Sequence, residues 1–377
     1  MSSASASKSP RIVWDRGTAY DFLASLNVLH EPEKFGLRGA WAAGVRSRLT
    51  TEEREFFDNM LAIIELPYRW VYNLPEPKDA ATLLYHLKQI PAAERIYVVT
   101  ERPGQPQDPL RARLRQITAA GKWTEQDRVF LTEAYRDTPH KEEGWSMPPR
   151  RLERIMDACA RAAEVGEALL GGLQSYFNVF FEEEEKRIAP KLDEALVRGR
   201  ELADRLETPE LLEELSRGVS FAELDWASEI VLAPSYWLSP LISGDDIDSK
   251  RMLLLYGARP QGESLVPGEI VPDDLLAALK ALADPTRLRI LRFLIQEHLT
   301  PAELSRRLRL RAPTVTHHLH ALRLAGLVRF VIKGGNERLY SARLEAIQAN
   351  HTMLKDFLEQ DVVDAEPLET FERGRMF

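Results

Sequence analysis

LLAALKALADPTRLRILRFLIQEHLTPAELSRRLRLRAPTVTHHLHALRLAGLVRFVIKGGNERLY, residues 275–340, decides how the chain is read. Leu275, Leu276, Leu279 and Leu282 share the apolar side of a helix that Asp273 or Asp274 caps. Asp284 starts the next helix with Pro285 at its first position, where a missing N–H costs nothing. Leu288, Ile290 or Leu291, and Leu294 are its inward residues. Thr300 and Glu303 spell a capping box around Pro301, and Ala302 with Leu304 or Leu308 lets two helices cross closely. After LRLR, Pro313 opens a further helix in which Val315, Leu319 and Leu322 fall at i, i+4 and i+7 and face inward. Gly326 ends it. LVRFVIK and ERLYSA then form a hairpin around Gly334, Gly335 and Asn336. Helices closed by a basic hairpin are the order of a winged helix-turn-helix.

The face left over on the Pro313 helix carries Thr314, Thr316, His317, His320 and Arg323. Hydroxyls and ring nitrogens on an exposed first turn suit base edges in a major groove. Arg306, Arg307, Arg309 and Arg311 precede that helix, and Lys333 and Arg338 flank the hairpin tip, where they reach backbone phosphate or the minor groove. Double-stranded DNA is therefore the expected partner. Residues 276–345 hold 13 Lys and Arg against 5 Asp and Glu, a local +8 that leaves −16 for the rest of a chain whose net charge is −8. A basic module on an acidic body is what phosphate binding asks for, since affinity follows local charge.

The remaining sequence is read outward from this module. With 377 residues, 44% hydrophobic and 29% charged, the chain is long enough for more than one core. No apolar run is long enough to span a membrane, and MSSASASKSP lacks the apolar centre of a signal peptide. The single Cys159, in RIMDACARAAEV, excludes an intramolecular disulfide and reads as a packed thiol; the protein is expected to be cytoplasmic. RIVW at residues 11–14 is a short strand. Helices are predicted in TAYDFLASLNVLHEP, stopping before Pro32, over about residues 39–48, from Thr51 (Glu52 and Glu53 in its first turn), from Asp79, and across LRARLRQITAAG and TEQDRVFLTEAYR, with Thr124 and Asp127 boxing the last. IYVVT at residues 96–100 is either a strand or a helix continuing from AAER. Residues 152–206 are strongly helical, with Gly171, Gly172 and Pro190 as places to bend, and long enough to pair with a second copy. The four acids at residues 182–185 project around a helix and are taken as a solvated face. Thr208 caps another helix. EIVLAPSYWLSPLI and SKRMLLLYGAR, separated by SGDDID, are a hairpin or two neighbouring strands.

The resulting expectation is a mainly α protein with minor β. Residues 1–10 form a disordered lead, 11–259 a mainly helical region with a short strand pair, 260–272 a Pro/Gly linker, 273–360 the winged helix-turn-helix and 361–377 a tail.

The segments ALADPTRLRILRFL, AELSRRL, PTVTHHLHALRLAGLV and the basic hairpin ending in Tyr340 together resemble ArsR-type winged-helix transcriptional regulators over residues 270–345. The resemblance implies a dimeric, DNA-binding repressor, and it matches His318 to an inward-leaning family histidine. FFDNM and the Pro- and Trp-containing segment after it also look like the longer ArsR-like regulators, which carry an N-terminal region before the reader. Family members that sense metals use a cysteine pair in a reader helix or acids and His on the last helix. Here AELSRRL has no cysteine, and RLEAIQANHTMLKDFLEQD offers only His351 with Asp356 and Glu345. His317, His318 and His320 diverge around their helix, so neither a metal nor a cofactor is expected.

For the N-terminal region the sequence holds three readings. It shows no phosphate-cradling Gly-rich loop, no HExxH and no nucleophile elbow, so no enzymatic activity is expected, an unrecognised one being the alternative. Trp70, Tyr72, Trp226, Tyr236 and Trp237 lie in irregular or strand-like segments, where they line an effector pocket or serve as ordinary core. The long helical run makes assembly, as a homodimer, the third reading.

Overall fold

Alternation along short strands builds the N-terminal body. The structure, a computed structural model, describes residues 9–63, 66–98, 109–137, 147–222, 224–260, 262–266, 271–332 and 337–359. It is mainly helical with two small sheets. Of the strands β1 (Arg11–Trp14), β2 (Val219–Phe221), β3 (Glu229–Ser235), β4 (Ser243–Asp246) and β5 (Arg251–Gly257), four make one sheet in the order β1-β3-β5-β4. β1, β3 and β5 run parallel, with Arg11 opposite Glu229 and Glu229 opposite Arg251. Val231, Ala233, Leu253 and Leu255 enter one apolar cluster, while Ile230, Leu232, Met252 and Leu254 enter another. Successive side chains leave opposite faces, so both faces are covered, as parallel strands require. β3 and β5 are thus parallel neighbours, not a hairpin. The separating SGDDID is itself structured: its first four residues are β4, antiparallel to β5.

α1 (Thr18–His30) fills one face and is buried along almost its whole length. Its Asp21 is fully buried and accepts from Ser235 Oγ at 2.7 Å, Trp237 N at 2.9 Å and Tyr236 N at 3.1 Å, pinning the end of β3. Burial pushes this carboxyl up to about 6. A second buried acid, Asp15, takes Lys78 Nζ at 2.7 Å and Tyr20 Oη at 2.5 Å. After α1 come a 3-10 turn at Pro32–Phe35, α2 (Gly39–Arg46), α3 (Thr51–Leu61), α4 (Tyr68–Tyr72), α5 (Ala80–Gln89) and α6 (Ala92–Val98). α3 is capped by Thr50 boxed with Glu53, one residue before the expected start. Residues 96–98 of IYVVT continue the helix from AAER; Val99 and Thr100 lie outside the described residues.

α7 (Pro109–Ala120), α8 (Glu125–Asp137) and α9 (Pro149–Ala160) close a separate core around Ile117, Leu131, Met156 and Cys159. Burial pushes the Cys159 thiol up to about 11, an inert packed group. Thr124 and Asp127 form the expected capping box at the start of α8. The helical run from residue 152 breaks at Arg161 and continues as α10 (Ala162–Tyr176), a π turn at Phe177–Phe181 and α11 (Glu182–Ala203). The wide turn advances the phase so that both Tyr176 and Phe181 are buried. α10 packs against α6 through Gly166, where a Cβ would fall 1.9 Å from Ala92 O.

The acid run is not a solvated face throughout. Glu182 and Glu183 are exposed, but Glu184 is buried and takes Arg187 Nη2 at 2.6 Å and Trp237 Nε1 at 2.9 Å. Glu185 accepts from Thr18 Oγ1 at 2.5 Å and Ala80 N at 3.0 Å. α12 (Thr208–Leu215) follows with Glu207, not Thr208, at its cap and Pro209 in its first turn.

The C-terminal part comprises α13 (Asp273–Leu282), α14 (Pro285–Gln296), α15 (Pro301–Leu308), α16 (Ala312–Leu324), β6 (Val328–Ile332), β7 (Arg338–Ala342) and α17 (Leu344–Glu359). Pro272 precedes α13, and Asp273 instead accepts from Ser264 Oγ and Leu265 N. Ile290, Leu291, Leu294, Leu304, Leu308, Val315, Leu319 and Leu322 form its core. Leu279 and Leu288, expected inside, are exposed.

β6 and β7 pair antiparallel, and β2 joins the free edge of β6 in parallel, Val219 opposite Phe330. A strand from before residues 260–272 therefore completes the wing sheet, and the sheet crosses the boundary expected there. The corner between α12 and β2 carries the rest of the joint. Arg217, at φ 54°, and Gly218, at φ 100°, turn the chain sharply. Arg329 reaches Glu213, Arg343 donates to Arg217 O at 3.2 Å, and Arg217 pairs with Asp274 at 3.3 Å.

Candidate nucleic-acid interface

α15 and α16 are placed by local devices that the sequence spells. Thr300 and Glu303 cap each other at the start of α15, with Pro301 in its first turn. Arg309, at φ 55°, ends α15 in the left-handed region, and Ser305 holds the turn: its carbonyl accepts from Leu310 N at 3.1 Å and its Oγ donates to Leu310 O at 2.5 Å. α16 begins without a side-chain cap at Arg311, so its first-turn N–H groups keep no side-chain partner there. Val315, Leu319 and Leu322 are fully buried, which fixes the opposite side outward.

On that outer side Thr314, Thr316 and His317 are exposed. Arg306, Arg307, Arg309 and Arg311 are exposed on the end of α15 and the turn. Arg307 forms a bidentate pair with Glu297 and lies over the Phe293 ring. Arg338 is exposed at the start of β7, its guanidinium over Phe330 at 5.4 Å. Lys333 lies outside the described residues. His318 is half-buried with Nδ1 3.9 Å from the Asp284 carboxylate, and burial lowers its pKa.

Two residues of the expected set are engaged elsewhere. Arg323 is buried, donating to Arg217 O at 2.9 Å and to Ser216 O at 2.5 Å. Burial and the neighbouring Arg343 and Arg217 cations lower it to about 10. It clasps the α12–β2 corner and does not face solvent, which corrects its placement among the DNA-facing residues. His320 is half-exposed, and its Nε2 lies 2.7 Å from Lys34 O in the body. The clasp partners Ser216, Arg217 and Lys34 offer only main-chain carbonyls, for which the sequence holds no local sign.

Of the five aromatic residues read as possible pocket lining, four share the main core and Trp226 lies apart. Tyr236 and Trp237 are fully buried in the main core, and Trp70 and Tyr72 pack against the same cluster. Trp237 stacks on Trp41 at 6.2 Å, and Tyr236 Oη accepts from Arg187 at 3.0 Å and donates to Glu263 at 2.9 Å. Tyr72 lies beneath Lys78 Nζ at 4.9 Å. Trp226 is exposed and outside that cluster. Among the described residues no group of three or more His, Cys, Asp or Glu is placed to hold a metal ion, and no helix is long and apolar enough to cross a membrane.

Residues 282–330, from the end of α13 into β6, match the family described as "Helix-turn-helix domain". A comparison of the chain with curated proteins gives no match. Match and geometry coincide: this part of the chain is a helix-turn-helix domain, a DNA-binding fold.

Proposed function

We propose that the protein is a sequence-specific transcriptional regulator of the ArsR type, a dimeric repressor whose N-terminal body receives a signal or mediates assembly. The observation that carries this reading is the open first turn of α16. It presents Thr314, Thr316 and His317 beside four exposed arginines and above a helix start without a side-chain cap. Hydroxyl and imidazole groups there read base edges, while the arginines and free amides hold phosphate.

Pairing of two copies is supported by apolar side chains that the reader leaves outside. Leu279, Leu288, Ile295, Leu344 and Leu358 are exposed, and α17 buries none of its residues fully. Two readers related by a two-fold axis meet half-sites one helical turn apart. In this reading the body is not catalytic: Asp15, Asp21, Asp127 and Glu184, the buried acids among its described residues, are each held by structural donors.

A duplex enriched from a random-sequence library on the intact chain supplies the probe. Thr316→Ala and His317→Ala weaken that duplex more than a random one. Arg307→Ala weakens both and lowers the salt slope by about 1. Unchanged binding by all three variants in a gel-shift titration refutes the assignment. A strict monomer by sedimentation, free and on the duplex, refutes the dimer.

A further inference from the structure

Pro313, His317, His320 and Leu324 recur at i, i+4, i+7 and i+11, one stripe along the outer side of α16. The two ends of this stripe meet different surroundings. Pro313 and His317 are exposed, while His320 and Leu324 are partly covered. The cover comes from the body: Lys34 O sits 2.7 Å from His320 Nε2, and a Cβ built on Gly36 would lie 3.9 Å from Leu324 Cδ1. The Pro32–Phe35 turn thus lies on the side of α16 that presents His317.

His317 and His320 are about 4.5 Å apart along the helix axis, three residues at about 1.5 Å each. A helix about 10–12 Å across already fills a major groove about 12 Å wide. A peptide turn lying on its outer side cannot enter with it. Nor does the turn suit a flanking phosphate. Glu31 and Glu33 are exposed, and the Lys34 ammonium is paired with Glu31.

We infer that the Pro32–Phe35 turn is an autoinhibitory contact. Docked on His320, it holds α16 out of the groove beyond its first turn, and full insertion requires the turn to lift. His320 then exchanges the Lys34 carbonyl for the DNA. The inference rests on the DNA-binding reading above. The β2–β6 pairing and the Arg323 clasp are made by other residues, so the turn can lift while the reader stays joined to the body.

The test locks the turn. In the full chain, Gly36→Cys with Leu324→Cys places two thiols across the contact, and Cys159 is buried and does not compete. The near atom is Leu324 Cδ1 and not its Cβ, so a short bis-methanethiosulfonate, which spans more than a disulfide, bridges the two thiols and dithiothreitol releases it. On a duplex enriched with the wild-type chain, the closed form is expected to bind at least about tenfold more weakly than the same protein reduced, with full recovery on reduction. Equal affinity of the closed and reduced forms, or failure of the pair to close in the folded chain, overturns the inference. Gly36→Asp provides the opposite perturbation. At a φ of 72° a side chain is strained, Asp less than most, and both that strain and a carboxylate near Leu324 loosen the contact. It is expected to raise affinity about three- to tenfold, the range that one hydrogen bond holds. Unchanged or lower affinity overturns the inference even where the double-cysteine variant does not fold. A wild-type chain that enriches no duplex overturns the DNA reading itself.

Discussion

Gly218→Ala tests whether body and reader fold as one unit. Gly218 sits at φ 100°, and a Cβ there would come 2.9 Å from Arg329 Cβ and 3.3 Å from Arg343 Cδ. Holding Ala at that φ costs about 1–2 kcal/mol. Relieving the clash moves β2 off β6 and weakens the bonds from Phe330 N to Gly218 O at 3.1 Å and from Ala222 N to Ile332 O at 3.0 Å, about 1 kcal/mol each. The total is about 3 kcal/mol, all of it at the joint. All seven tryptophans, Trp14 through Trp237, precede residue 273, so tryptophan fluorescence reports the body, while far-ultraviolet circular dichroism reports both parts. In urea the variant should lose part of its helical signal before its fluorescence changes, as the reader unfolds first. Gly262→Ala is the control: φ is 84°, but nothing lies within 4 Å of the added Cβ, so it should cost about 1 kcal/mol and leave the two probes together. Probes that coincide in Gly218→Ala, with the wild-type midpoint, refute the shared sheet as the source of coupling.

Further outcomes concern charge and capping. Asp21 has its folded pKa raised from 3.8 to about 6, so its contribution to stability is full below about 3.8 and lost as pH rises through about 6. Asp21→Asn removes that titration; its stability relative to wild type should improve by about 3 kcal/mol from pH 4 to pH 7, and a constant difference in urea titrations at the two pH values contradicts the buried charge. His30 is lowered by burial, so the neutral ring is the native form and stability falls as pH drops below about 6.5; His30→Leu should unfold with less pH dependence between pH 7 and pH 5. Thr300→Ala removes the α15 capping box and should cost about 1 kcal/mol by denaturation, with the loss seen in circular dichroism before fluorescence.

The reader's helices were legible because the devices that start and pack them are local. The Thr300–Glu303 box, Pro285 and Pro301 in first turns, and the spacing of Val315, Leu319 and Leu322 all act within a few residues. The body was legible only in part. The strands showed through their branched residues, but parallel order depends on which helices cover the two faces, and SGDDID carries no apolar alternation to mark it as β4. The partial burial of the acids at residues 182–185 follows from helix geometry. Four consecutive residues on a helix cover every direction, so a helix packed on one side must turn some of them inward, and here Glu184 and Glu185 are those residues.

Arg323 and His320 show where such spacing stops informing. Arg323 stands four residues after Leu319, which places it at the edge of the buried side, so its withdrawal from solvent was readable from periodicity alone. Its partners were not, since they are the carbonyls of Ser216 and Arg217, more than a hundred residues earlier. His320 stands on the outer side, where spacing correctly puts it with His317, and yet its ring meets Lys34 O. Both departures from the expected interface therefore have one cause: the body contributes main chain to the reader, at the α12–β2 corner behind α16 and at the Pro32–Phe35 turn in front of it. Among the described residues, α16 is thus held from behind by the buried Arg323 and from in front by the His320 bond to Lys34 O, and the front contact lies on the side that presents His317.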